Sequence, residues 1–249
     1  MPITYIQGRP IKYEVKRHRG NRIFIEVRPD GLLLRLPEGL DKEPEEVMRE
    51  HEAEILRRLS FFEDLERLAE LHAQDLERRL LLLGRFVDLR ITVCPKRHVR
   101  IDRGGVEVMA PSEEEAYGLL REHLKAMLKE RASSLVEEFS ARLGVRPRGL
   151  RVVARKRAWA SLTGKNTITV ALKTLALPPK YIRYVVAHEV AHLVRRSHDR
   201  VARALMKALV GLDIRPEELV KYEFLIGRCA AWRKILAKSD KGYLAESPD

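Results

Sequence analysis

Cysteine is scarce in this chain: 249 residues hold two, Cys94 and Cys229. They stand far apart and form no CxxC pair. That excludes a disulfide framework and a thiolate zinc ribbon, and both are predicted to be buried, reduced thiols. Side-chain amides are also few, limited to Gln7, Gln74, Asn21 and Asn166, while 34% of residues are charged. A charge-rich, amide-poor chain points to a thermophilic source. The longest apolar runs, such as Leu80 to Leu83, are far too short to span a bilayer. The opening Met1-Pro2-Ile3-Thr4 lacks the basic-then-apolar pattern of a signal peptide. The expectation is a soluble, cytoplasmic protein with no membrane partner.

The most informative absence is of acid. Between Glu138 and Glu189 there is none, yet Arg142, Arg146, Arg148, Arg151, Arg155, Lys156, Arg157, Lys165, Lys173, Lys180 and Arg183 fall there. This segment supplies nearly all of the formal net charge of +12. A field of one sign favours acidic partners such as nucleic acid, with Arg155, Lys156 and Arg157 as candidate contacts. A solvated basic face without a partner is the competing reading.

What is present divides into a β-rich beginning and a helical end. Ile11 to Lys16, Arg22 to Arg28 and Leu32 to Leu36 alternate around turn residues and are predicted to be strands. No proline or glycine interrupts residues 45–83, where leucines recur at helical spacing, so one long helix or two in sequence are expected there. Strands are predicted again at Val87 to Val93, Val99 to Asp102 and Val106 to Met109, the last two joined by Gly104-Gly105. Ser112 followed by three glutamates opens a helix that Gly144 should stop. A weak internal repeat relates residues 22–51 to residues 99–123. Each copy runs hairpin, proline, acidic cap, helix, and ends on Arg-Glu-His. The predicted division is a β-rich part over residues 1–110 and a second domain over residues 111–249. In the latter, Leu150 to Ala154 and Thr167 to Leu172 read as strands. Helices are predicted from Pro178 to Val194, Asp199 to Leu209 and Pro216 to Ala237.

His188-Glu189-Val190-Ala191-His192 is an H-E-x-x-H motif. Residues four apart share one helix face, about 6 Å apart along the axis, so two imidazoles can converge on one ion. Zinc prefers such nitrogen donors, and the intervening Glu189 is placed to take a proton from water at the metal. His198 is the predicted third ligand, which requires the helix to end near Arg195 so that the chain can turn back. Glu217, Glu218 and Glu223 are the rivals.

The motif and its surroundings resemble the YgjP-like metallopeptidase family, a relative of the SprT-like group. That family's pattern is a Trp-Gly-Ser-Cys segment, a strand, a proline, then H-E-x-x-H with a third histidine after five intervening residues. The counterparts here are Trp159-Ala160-Ser161-Leu162, the strand Thr167 to Leu172, Pro178, and His188 through His198. Ala160, Leu162 and Ala171 depart from the pattern. The resemblance implies an α+β chain with a zincin-like domain, a bound Zn2+, and hydrolysis of peptide bonds in peptide or protein substrates. With the basic segment it points to proteins associated with nucleic acid. Trp159 and Tyr184 are candidate substrate contacts, and the Thr167 to Leu172 strand is either an edge for an extended peptide or an ordinary core strand. Two alternatives remain. A family of RNA-processing endonucleases uses the same three-histidine spacing, with glycine in place of the glutamate. The other is a zinc-stabilised nucleic-acid-binding protein without turnover.

Overall fold

The computed structural model describes residues 1–237, except Pro29, His198, Asp199, Leu212, Asp213 and Arg215 and the side chains of Ala202, Arg203, Pro216 and Glu217. The chain is α+β, and its described residues form two compact units, Met1–Leu71 and a second that begins at His72. They part well before the division near residue 110 drawn from the sequence. The reason is that the second hairpin-rich stretch packs on a helix of the second unit.

The first unit has four strands, β1 (Ile3–Ile6), β2 (Arg9–His18), β3 (Phe24–Arg28) and β4 (Gly31–Pro37), in the order β1-β2-β4-β3. The central pair β2 and β4 is parallel and the outer pairs are antiparallel. Two helices follow, α1 (Pro44–Glu50) and α2 (Glu52–Leu71). Ile11, Leu32, Leu34, Leu36, Met48 and Ile55 meet in one core, each at most 3% exposed. The helix predicted to run on through Leu83 does not do so. It breaks at His51 and again after Leu71, and a short α3 (Ala73–Arg78) gives way to β5 (Arg79–Leu82). A short leucine run fits a strand buried on both faces as well as it fits a helix, and Leu80, Leu81 and Leu82 are all buried.

In the second unit, β5, β6 (Arg85–Val93), β7 (His98–Asp102) and β8 (Gly105–Ala110) form a sheet ordered β5-β6-β8-β7. Against it lies α4 (Glu113–Leu143), whose Ala116, Leu120, Leu124, Leu128, Ala132 and Val136 make one buried stripe at four-residue spacing. The Ser112 hydroxyl accepts the Glu115 N–H at 3.2 Å, and Gly144 ends the helix with a left-handed φ of 65°. Both ends are as predicted. A three-stranded sheet follows, made of β9 (Gly149–Val153), β10 (Ala160–Leu162) and β11 (Thr167–Ala171). Its order is β10-β11-β9, so β11 is paired on both sides, which excludes the edge reading and leaves the core strand. A 3-10 turn, Leu172–Ala176, leads into α5 (Pro179–Val194), then α6 (Arg200–Val210), α7 (Pro216–Arg228) and α8 (Ala230–Leu236). The last two were expected as one helix; Cys229, with an extended ψ of 117°, separates them. Both cysteines are free. Cys229 is buried, but Cys94, at the end of β6, is only half-buried, against expectation. No helix of the described residues is long and apolar enough to cross a membrane.

Candidate active site

Proline opens α5 at its first turn, where a missing N–H costs nothing. Ile182, Val185, Val186, Ala187 and Val190 anchor the helix in the core. That leaves His188 and His192 on the half-buried flank, with their rings 4.5 Å apart and edge to face. Their Nε2 atoms are 3.0 Å apart. Two nitrogens on a tetrahedral zinc, each about 2.0–2.1 Å from the ion, stand about 3.4 Å apart, so this pair already spans close to one edge of such a site. The orientation is fixed from behind. His192 Nδ1 lies 3.1 Å from the Arg195 carbonyl oxygen, which can only accept, so Nδ1 carries the proton and Nε2 offers its lone pair. Arg195 is the residue at which α5 ends, in extended conformation, as the turn toward a third ligand requires.

Glu189, between the two histidines, is buried at 6% exposure. Burial raises its carboxyl pKa to about 7, opposed by the Arg155 guanidinium and by a hydrogen bond from the Leu162 backbone N–H. Two groups around this carboxylate escaped the sequence reading. Leu162 closes β10, the edge strand beside α5. Arg155 was assigned to a nucleic-acid face but turns inward: both terminal nitrogens lie 3.1 Å from Ser161 Oγ, and burial lowers its pKa. Its position just beyond β9, opposite Ser161 across a short loop, was the available signal. Lys156 and Arg157 are exposed as expected.

The other predicted residues are placed as follows. Tyr184 stands one turn before His188, with the rings 6.2 Å apart. Trp159 is drawn to a different cluster, where the buried Lys173 ammonium sits 4.6 Å from its ring centre and 2.5 Å from Glu223 Oε1. His198 and the Glu217 side chain lie outside the described residues. The remaining rivals for third ligand are otherwise engaged: Glu223 holds Lys173, and Glu218 accepts the Tyr181 hydroxyl. Among the described residues no group of three metal-ligating side chains forms. The donors that are described, two imidazoles with one tautomer fixed, fit a metal.

The family model described as YgjP-like, metallopeptidase domain, matches residues 21–211 of the 249. The chain belongs to the YgjP-like metallopeptidase family. As a YgjP-like chain it has the α+β fold of a metallopeptidase family, and His188 and His192 lie within the matched residues. The match spans most of the first unit and the second through α6. No curated protein and no solved structure matches the chain.

Proposed function

We propose that the protein is a zinc-dependent peptidase in which His188, His192 and His198 hold the metal and Glu189 is the general base. The observation that carries this reading is the convergence of two Nε2 atoms at 3.0 Å beside a buried carboxyl whose pKa lies near 7. Bound zinc would supply Lewis acidity, acidifying a water and polarising the scissile carbonyl. Glu189 then takes the proton of the attacking water and passes it to the leaving amine nitrogen. A pKa near the working pH suits it to both transfers. The Leu162 N–H and Arg155 hold the carboxylate in place through the step. An extended substrate would run along β10, the open edge beside α5, rather than along β11. Tyr184 is the aromatic side chain best placed to meet it.

Metal analysis of the purified protein, with peptidase and nuclease assays on the same sample, tests this. About one zinc per chain and peptide hydrolysis abolished by chelator are expected. Nuclease activity without peptidase activity would overturn the reading.

A further inference from the structure

The repeat noticed in the sequence is larger in the structure, and the two copies differ in what covers them. The strand orders β1-β2-β4-β3 and β5-β6-β8-β7 are the same, with a parallel central pair in each. The first hairpins turn alike, with φ of 49° and 77° at Gln7 and Gly8 and 51° and 83° at Leu83 and Gly84. The central registers match, Tyr13 opposite Leu32 and Leu89 opposite Val106. Even the crowded glycines correspond. A Cβ on Gly31 would stand 2.3 Å from the Lys12 carbonyl oxygen, and one on Gly105 would stand 2.6 Å from that of Asp88. Register and turns pair Ile3 with Arg79 and Tyr5 with Leu81.

In the second copy Leu80, Leu81 and Leu82 are covered and the turn after them is docked, while at Arg79 the side chain is exposed and only the carbonyl is met, by the Cys229 thiol at 3.4 Å. Leu83 and Gly84 donate their N–H groups to the Leu175 and Ala176 carbonyls at 2.9 and 2.8 Å. From α8, Trp232 donates its indole N–H to the Leu81 carbonyl at 2.7 Å, and Leu81 is 1% exposed. In the first copy Tyr5 is 72% exposed, Ile3 is 54% exposed, and nothing approaches within 4 Å of a Cβ built on Gly8. Bonded and non-bonded pairs alternate along β1 and β2, and the Tyr13 N–H donates to the Pro2 carbonyl, so Tyr5 opposite Pro10 falls in a non-bonded pair and its carbonyl points outward, as that of Leu81 does. The first copy thus keeps an apolar strand edge and an acceptor of the kind that α8 occupies in the second.

We propose that this edge is a docking surface for a helix of another protein that carries a tryptophan, seated on Ile3 and Tyr5 with its indole N–H donated to the Tyr5 carbonyl. A second copy of this chain does not fit. Its two tryptophans are taken, Trp232 by Leu81 and Trp159 by Lys173. The surface lies wholly within the first unit and does not depend on the peptidase reading.

The probe is a fluorescent peptide with the sequence of residues 226–237, carrying Cys229→Ser, added to the full chain. Saturable binding is expected. Tyr5→Asp or Ile3→Asp in the protein, or Trp232→Ala in the peptide, should each weaken it at least ~10-fold, as loss of an aromatic or apolar anchor does. Both protein positions are exposed, so circular dichroism should be unchanged; if one variant misfolds, the other serves. Failure of the peptide to bind, or equal binding to both variants, would overturn the proposal. So would a dimer in sedimentation that Tyr5→Asp dissolves, since the occupant would then be a second copy.

Discussion

The Leu162 N–H and the Arg155 guanidinium both act on the Glu189 carboxyl, which is buried beside the paired histidines. Glu189→Gln keeps the volume and the hydrogen bond from Leu162 but cannot carry the proton. The expected result is zinc content equal to the parent and peptide hydrolysis reduced at least ~100-fold, the low end of what a placed acid-base group contributes. Retained activity would remove Glu189 from the mechanism. His188→Ala or His192→Ala should instead abolish stoichiometric zinc, read by atomic emission after dialysis, because two remaining protein donors hold the ion poorly. Glu223 separates structure from chemistry. Glu223→Ala removes the carboxylate partner of the Lys173 ammonium, whose pKa burial already lowers, and leaves it the Lys156 carbonyl; because Glu223 is itself half exposed, the fold should lose about 1–2 kcal/mol in denaturant titration. Its metal content should stay at the parent level. Lost metal would return Glu223 to the coordination shell.

At the scale of elements, the segments with strong local signals folded as read. Capped by Ser112 and stopped by Gly144, α4 was fully legible, and so was α5 with its proline start and its end at Val194. The errors fell where only tertiary contact decides. Leu80 to Leu82 became a strand because β6 pairs with it and Trp232 reaches its backbone from a point far along the chain. No pattern within four leucines records that. For β11, edge and core strand were equally open from the sequence, because nothing local showed Ala160–Leu162 folding back on it. The same limit hid Arg155: a run of cations reads as a surface until burial picks out the one that turns inward. One element-scale test concerns the turn docked before α5. A Cβ on Gly84 would stand 2.5 Å from Pro178 Cγ, at a φ of 83° that side chains rarely adopt. Gly84→Ala should therefore lower stability by more than the roughly 1 kcal/mol that the backbone conformation alone costs. It should also shift α5 and reduce activity. Unchanged stability and turnover would mean that the turn does not position the catalytic helix.

For the whole molecule, the two units predict the form of the unfolding curve. Each has its own apolar core, so calorimetry should resolve two transitions. Leu34→Ala, at a fully buried position of the first unit, should lower one of them by about 2–5 kcal/mol and leave the other in place. A single transition that moves as one would mean that the units fold together. The charge excess is also redistributed once the chain folds. Arg142 binds the Leu209 carbonyl, Arg183 pairs with Glu138, and Arg155 and Lys173 serve the interior. Any nucleic-acid binding must rest on cations that stay outside, such as Arg148, Arg151, Lys156 and Arg157. Reversing the last two should flatten the salt dependence of that binding.

The paired sheets also make the chain its own control for mutational tolerance. In a library of single substitutions, Gly31 and Gly105 should be depleted alike, since each lies against a backbone oxygen. Gly8 and Gly84 should part company, because one turn has empty space above it and the other has Pro178. Two copies of one architecture would thus show different substitution rates at matched positions, and the size of that difference would measure how strongly the helices after residue 177 constrain the copy they pack on.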